Sequence, residues 1–356
     1  MRIAVNGFGR IGRLFTRAAV AAGLDVVAIH EPDGTVEGLA LGIEFDSVQG
    51  RWPHRVQSDD GVQADDVRGQ LILDGRPVAL VRAKRDSGDG GGGGGASQPD
   101  NFASLPWREH KIDLVVDCSG RAKRIERNQG HFDAGARAVL VSNPVPGVPN
   151  LVYGVNHKQA EWLQAPLFTA ASCTTNCLAP IVRVLHDAIG IDRGLVTTLH
   201  DPTNTQVVAD RPHRDPRRAR SALANLIPTS TNSAHAVTEI VPELKGRLDS
   251  IAVRVPVQNA SLTDCAFHMS RDTTVDEIQQ VLREAADGRM RGILGFETRP
   301  LVSSDYAGEA RSGVVDADCT RVVDKRLVKV MAWYDNEWGY CNRMVDLVRY
   351  RIEHGR

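Results

Sequence analysis

No stretch of the chain approaches the roughly 18 uninterrupted apolar residues that a membrane-spanning helix needs, so no membrane insertion is expected. Charge of one sign is not in excess either: 43 Lys+Arg stand against 44 Asp+Glu, a formal net charge of -1. That balance disfavours a generic nucleic-acid binder, which presents a basic surface. Cysteine is sparse, with six in 356 residues: Cys118, Cys173, Cys177, Cys265, Cys319 and Cys341. They form no C-x-x-C pair and no cluster with histidine, which argues against a zinc site and a disulfide framework. No metal is therefore expected, and a special cysteine here would be chemical rather than structural. Residues 1–5 run straight into a glycine motif instead of a signal peptide, which gives the expectation of a cytoplasmic protein.

What remains has the composition of an ordinary soluble globular protein, 42% hydrophobic and 24% charged. A length of 356 residues allows about two domains. Residues 2–6 read as a short buried strand, 7–12 as a glycine turn, 13–22 as a helix and 24–29 as a second strand. The apolar runs at 114–118 and 137–142 continue the theme of short parallel strands in a doubly wound sheet. Between them, 87–101 holds a run of glycines with nothing to pack and reads as a flexible loop. Beyond Cys173 the texture changes: 248–269 alternates apolar and polar residues and 327–334 is another long strand, so the second domain is sheet-rich. Met344, Val345, Leu347, Val348 and Ile352 suit a closing helix with one buried face.

Three places carry chemistry. Gly7, Gly9 and Gly12 form G-x-G-x-x-G between a strand and a helix, with the acidic Glu31 at the end of the next strand, which is the context a dinucleotide site requires. A carboxylate there accepts hydrogen bonds from the adenosine ribose and repels a 2′-phosphate, favouring NAD over NADP. Cys173 precedes an amphipathic stretch carrying Leu178, Ile181, Val182, Leu185 and Ile189. Helix-terminal amides and a basic partner favour a thiolate and can hold a developing oxyanion. Spacing alone leaves such a cysteine more often structural than nucleophilic, and Pro180 complicates the helix start. His200 ends the apolar run 195–199 and opens a polar loop, a setting for a general base or for an ordinary exposed histidine. Arg254 lies within an apolar strand and needs an anion, an ion-pair partner or solvent. Arg211, Arg214, Arg217, Arg218 and Arg220 are interrupted by Pro212, Asp215 and Pro216, which suits an anion-binding or subunit-contact loop better than a nucleic-acid helix.

The segments NGFGRIGR (6–13), ASCTTNCLAP (171–180), HDPTNTQ (200–206) and WYDNEWGY (333–340), in this order over nearly the whole chain, resemble the glyceraldehyde-3-phosphate dehydrogenase family. The resemblance implies an α/β architecture: a Rossmann-type doubly wound parallel sheet at 1–172, completed by a C-terminal helix at 337–356, and an α+β catalytic domain with a largely antiparallel mixed sheet at 173–336. It implies that Cys173 adds to the aldehyde of glyceraldehyde 3-phosphate and that His200 takes the proton of the hemithioacetal as hydride passes to NAD. A thioester results, which inorganic phosphate releases. It implies anion-binding roles for Ser172, Thr174, Thr203, Thr231 and Arg254, and cofactor-binding roles for Gly7, Gly9, Arg10, Ile11, Gly12, Glu31, Ser119, Asn336 and Tyr340. A homotetramer is a further implication.

Departures from the family pattern are Glu31 for aspartate, His30 for asparagine, Asn232 after Thr231, and the glycine insertion. The segments EFDSVQGRW (44–52), TNTQVV (203–208) and NASLTDC (259–265) look more like the family's arsenic-resistance branch, which implies arsenate in place of phosphate, 1-arseno-3-phosphoglycerate as product and a functional link to a membrane exporter. The alternatives are an erythrose-4-phosphate dehydrogenase and a non-catalytic dinucleotide-binding regulator.

Overall fold

The computed structural model describes residues 1–83, 102–203 and 206–355. The glycine-rich loop expected at 87–101 lies outside the described residues, as do Asn204 and Thr205. The chain divides into two compact units: Met1–Asn150 with Gln159–Ala170 and Met344–Arg356, and Leu151–Lys158 with Ala171–Arg343.

In the first unit β1 (Arg2–Asn6), α1 (Arg10–Ala21) and β2 (Asp25–His30) form the opening strand, helix, strand unit. Next come α2 (Val36–Glu44), the short pair β3 (Phe45–Asp46) and β4 (Gly50–Arg51), then β5 (Val56–Asp59), β6 (Val67–Leu73) and β7 (Arg76–Val81). The remainder is β8 (Leu114–Asp117), α3 (Ile125–Asp133), β9 (Ala138–Val141) and β10 (Leu167–Thr169). The sheet order is β10-β9-β8-β1-β2-β7-β6-β5. Its centre is parallel, with β1 paired to both β2 and β8, and β8 and β9 are buried along their whole length, as central strands covered on two faces must be. The edge departs from the expected parallel sheet, because β6 runs antiparallel to both β5 and β7. The Asp74-Gly75 turn reverses β6 into β7: both residues take positive φ, 49° and 78°, the backbone of a tight hairpin.

The order reverses at β1, whose neighbours β2 and β8 lead to opposite sides of the sheet, and ligands bind at the carboxyl ends of strands at such a point. Asn6 and Asp117 end those strands side by side. Gly12 is required there by packing, since a Cβ would lie 2.0 Å from the carbonyl oxygen of Gly7.

The second unit holds α4 (Cys173–Ala188), β11 (Ile191–His200), β12 (Ile227–Ser230), α5 (Ser233–Ile240), β13 (Leu248–Arg254), β14 (Ser261–Met269), α6 (Val275–Asp287), β15 (Leu294–Glu297), β16 (Gly313–Val323), β17 (Leu327–Tyr334) and the start of α7 (Trp338–His354). The sheet order is β12-β13-β11-β14-β17-β16-β15, with β11 parallel to β13, β15 parallel to β16 and the other pairs antiparallel. In β14 every second residue is buried, so one face is turned to the core. That core gathers Leu178, Ile181, Val182 and Leu185 of α4, Ile278 and Leu282 of α6, and Cys265, Phe267 and Val330 of the sheet. Pro180 lies inside α4, where the helix forgoes the amide that would pair with Asn176. Burial of the surrounding face offsets that loss.

Candidate functional site

Cys173 is the first residue of α4. Ser172 caps the helix in an extended conformation, its Oγ accepting from the Thr175 amide at 3.1 Å. Ala171 before it takes a left-handed φ of 54°, and its carbonyl accepts from the Tyr340 hydroxyl at 3.1 Å. A tyrosine in the first turn of α7 thereby holds the bend that presents the thiol. The Cys173 side chain is half-buried, at the end of the helix where amides and the dipole favour negative charge.

His200 and Arg254 reach the thiol through sheet register. They end β11 and β13 and stand opposite each other in the parallel pairing. His200 Nε2 lies 3.5 Å from Cys173 Sγ. Its Nδ1 faces the Asp201 carboxylate at 2.7 Å and Arg254 Nη1 at 2.6 Å. Burial works against charge on the His200 ring, yet the bonds to Asp201 and Cys173 prevail and raise it from 6.5 to about 9. Burial pushes Arg254 down, while Cys173, Tyr334 and Asp201 oppose the shift. Arg254 Nε is buried with no hydrogen-bond partner among the described residues, a donor suited to an oxyanion.

Thr174 does not point to open space, because its hydroxyl pairs with the Tyr334 hydroxyl at 3.0 Å. Thr203 bonds through its amide and hydroxyl to Gln206 Oε1, at 2.8 and 3.1 Å. Thr231 pairs with Ser233 at 2.8 Å at the start of α5. Asn336 follows β17 and joins the Cys173, His200 and Arg254 cluster through Asp201, whose Oδ2 accepts from Asn336 Nδ2 at 3.1 Å. The structure therefore brings Cys173, Thr174, His200, Arg254 and Asn336 into one network, with Ser172 and Tyr340 shaping the helix start. Thr203 bonds Gln206 in its own loop, and Thr231 bonds the first residue of α5. Tyr334 and Ser261 escaped the sequence reading, and Asp201 was read only as one polar residue of a loop. Their signal was adjacency in the sheet, which one strand's pattern does not carry.

In the first unit Gly7 takes a φ of +89°, and a Cβ on it would come within 2.6 Å of the Ser119 backbone, so only glycine fits the crossing. Gly9 ends the turn with open space where its Cβ would be, offers no side chain to cap α1, and no acid sits in that helix's first turn. Helices α4 and α6, by contrast, carry Ser172 and Thr274 as caps. An uncapped N-terminus reached through open space fits a pyrophosphate. Arg10 is paired with Asp46, and Ile11 lies in the first turn. Glu31 sits as expected at the strand end but spans back to the glycine turn, accepting from the Phe8 amide at 2.7 Å. Ser119 donates to the buried Asp117 at 2.7 Å. These residues fit NAD.

Two family models match the chain: the NAD-binding domain of glyceraldehyde 3-phosphate dehydrogenase over residues 1–87, and the C-terminal domain of the same enzyme over 172–336. The chain is 46% identical over 352 residues to glyceraldehyde-3-phosphate dehydrogenase 3 of Nostoc sp., covering 98% of this chain and 97% of that one. It is 44% identical to the glyceraldehyde-3-phosphate dehydrogenase of Zymomonas mobilis, with 97% of each covered. Identity to the enzyme of Geobacillus stearothermophilus is 40%, over 100% of this chain and 99% of that one. The matches span both units, the nucleotide turn and the Cys173 helix alike: the chain belongs to the glyceraldehyde-3-phosphate dehydrogenase family, with NAD as cofactor.

Proposed function

We propose that the protein is an NAD-dependent phosphorylating glyceraldehyde-3-phosphate dehydrogenase that works through a thioester on Cys173. The observation that carries this reading is the 3.5 Å approach of His200 Nε2 to Cys173 Sγ at the N-terminus of α4. An imidazolium and helix amides beside a thiol favour the sulfur anion, the form that adds to an aldehyde. The sulfur forms a bond to the aldehyde carbon while His200 gives its Nε2 proton to the carbonyl oxygen, and the resulting hemithioacetal hydroxyl faces the amides of the helix start, leaving His200 neutral. His200 then takes the hydroxyl proton as the carbon loses a hydride and a thioester remains. Gly7, Gly9, Arg10, Ile11, Gly12, Glu31 and Ser119 would hold NAD, which when bound would supply the hydride acceptor, and the family resemblance assigns Asn336 and Tyr340 to its nicotinamide. An oxyanion adjacent to Arg254 attacks the thioester carbonyl, the carbon–sulfur bond breaks, and Cys173 leaves as thiolate with an acyl anhydride as product.

The finer reading is an arsenic-resistance role, with arsenate as the attacking oxyanion and its product destined for a membrane exporter. It rests on the segments at 44–52, 203–208 and 259–265. Both oxyanions are tetrahedral, and the unpartnered Arg254 Nε suits either. We also place the protein in the cytoplasm as a homotetramer. No helix among the described residues is long and apolar enough to cross a membrane. Leu195, Val208, Leu223 and Leu226 are each at least 66% exposed, apolar side chains of the kind that subunit contacts cover.

The test follows reduced nicotinamide by absorbance with glyceraldehyde 3-phosphate, phosphate or arsenate, NAD or NADP, and erythrose 4-phosphate as rival aldehyde. Oxidation of glyceraldehyde 3-phosphate in preference to erythrose 4-phosphate is the expected result. Higher kcat/KM for arsenate than phosphate supports the resistance role. No reduced nicotinamide under any condition would leave a dinucleotide-binding regulator.

A further inference from the structure

Asp201 is only 3% exposed, and a buried carboxylate is tolerated where partners satisfy it. Its two oxygens serve different partners. Oδ1 lies 2.7 Å from His200 Nδ1, and Oδ2 accepts from Asn336 Nδ2 at 3.1 Å. Ser261 on β14 closes the group, with its Oγ 3.2 Å from Asn336 Oδ1 and 3.4 Å from Asp201 Oδ1. A hydroxyl has one proton, and the shorter contact assigns it to Asn336. That choice fixes the amide with Nδ2 toward Asp201.

The charged and titratable groups facing the His200 ring are Cys173 from α4, Asp201 beside it, Arg254 from β13 and Tyr334 from β17, the last edge-on at 6.1 Å. Nδ1 cannot both donate to Asp201 and accept from Arg254. The carboxylate is the stronger partner, and Arg254 Nη1 has another acceptor in the Asp201 carbonyl at 2.9 Å. The proton on Nδ1 therefore points to Asp201, whose carboxylate lies 2.7 Å away and whose carbonyl oxygen accepts at 2.8 Å, and this leaves Nε2 to exchange a proton with Cys173.

Resting on the reading of Cys173 as nucleophile and His200 as base, we propose that Asp201 is a positioning residue: its carboxylate holds the His200 ring with Nε2 toward Cys173 and ties that orientation to Asn336. The dyad of cysteine and histidine is thus a relay of three, anchored at its far end to the residue matched to the nicotinamide. The bond to Asp201 is also the largest of the effects that raise His200, against burial.

The test compares the intact protein with Asp201→Asn, which keeps size and removes charge, and with Asp201→Ser, a smaller neutral replacement should the amide fail to fold. Two quantities are measured: the pH profile of Cys173 alkylation by iodoacetamide, and kcat and KM with glyceraldehyde 3-phosphate. With either variant we expect kcat to fall on the order of 10-fold to 100-fold, part of what a positioned base contributes, with KM for the aldehyde changed by less than about threefold. Alkylation at pH ~7 should slow, its half-rate point rising by about one pH unit. A lower kcat with an unchanged alkylation profile would make Asp201 structural and overturn the proposal. Alkylation that depends on Asp201 in a protein that oxidises no aldehyde would sustain the relay and instead overturn the function proposed above.

Discussion

At the residue scale the centre is a sulfur, an imidazole and a guanidinium whose spacing decides their chemistry. Cys173→Ser keeps the helix start and the size of the side chain but replaces a thiol by a poorly ionising hydroxyl. It should bind NAD, read by calorimetry, and produce no reduced nicotinamide; substantial turnover would sink the thioester mechanism. His200→Asn removes the ring nitrogen 3.5 Å from the sulfur and, if His200 is the proposed base, should lower kcat by about 100-fold to 10,000-fold without abolishing it. Cys173 and His200 were singled out in the sequence by the segments ASCTTNCLAP and HDPTNTQ through the family resemblance, where spacing alone left both open. Asp201 was not, because a carboxylate after a histidine in a polar loop says nothing about which way the side chain turns.

Helices and strands set where those residues stand. The turn from β1 into α1 was readable because its requirements are local, and Gly12 shows why: with a Cβ 2.0 Å from Gly7 O, the helix and turn cannot both keep their places. Gly12→Ala should therefore weaken NAD binding by at least about tenfold, an effect of roughly 1.4 kcal/mol or more, while the alkylation profile of Cys173 stays as it is. An unchanged Kd in calorimetry would show that the turn relaxes freely. The closing helix α7 was likewise legible from its apolar spacing, and the structure runs it over Trp338–His354. Less legible were the antiparallel edge strands β5 and β6. The turn signal Asp74-Gly75, which joins β6 to β7, was present in the sequence, but the exposed run of β5 carries little hydrophobic contrast. The stretch 248–269 reads as one alternating segment yet is two strands, β13 and β14, on opposite sides of β11.

Across the whole molecule two histidines move in opposite directions. His200 is raised to about 9, so the stability it contributes is full below pH 6.5 and is lost as pH rises through about 9. His30 is lowered to about 4, by burial first and then by Arg68 and His131. It must stay neutral in the fold, so stability is lost as pH falls from 6.5 toward 4. Taken by themselves, these two groups favour the fold most near pH 6.5, with stability declining on the alkaline side from His200 and on the acid side from His30. Urea unfolding followed by circular dichroism at pH 6.5 and 9 should show a larger loss for the intact protein than for His200→Asn. Equal losses would mean that His200 titrates alike in folded and unfolded chains.

The sequence by itself determined the α/β class, the nucleotide turn, the cysteine helix and the family, since each depends on residues close together along the chain. Only the tertiary structure decided which side chains meet. Cys173 and His200 are 27 residues apart, His200 and Arg254 54, and Asp201 and Asn336 135. What joins them is the parallel register of β11 with β13 and the place of β14 and β17 beside them. Register is set by packing a whole sheet face against α4 and α6, a collective choice that no single segment encodes.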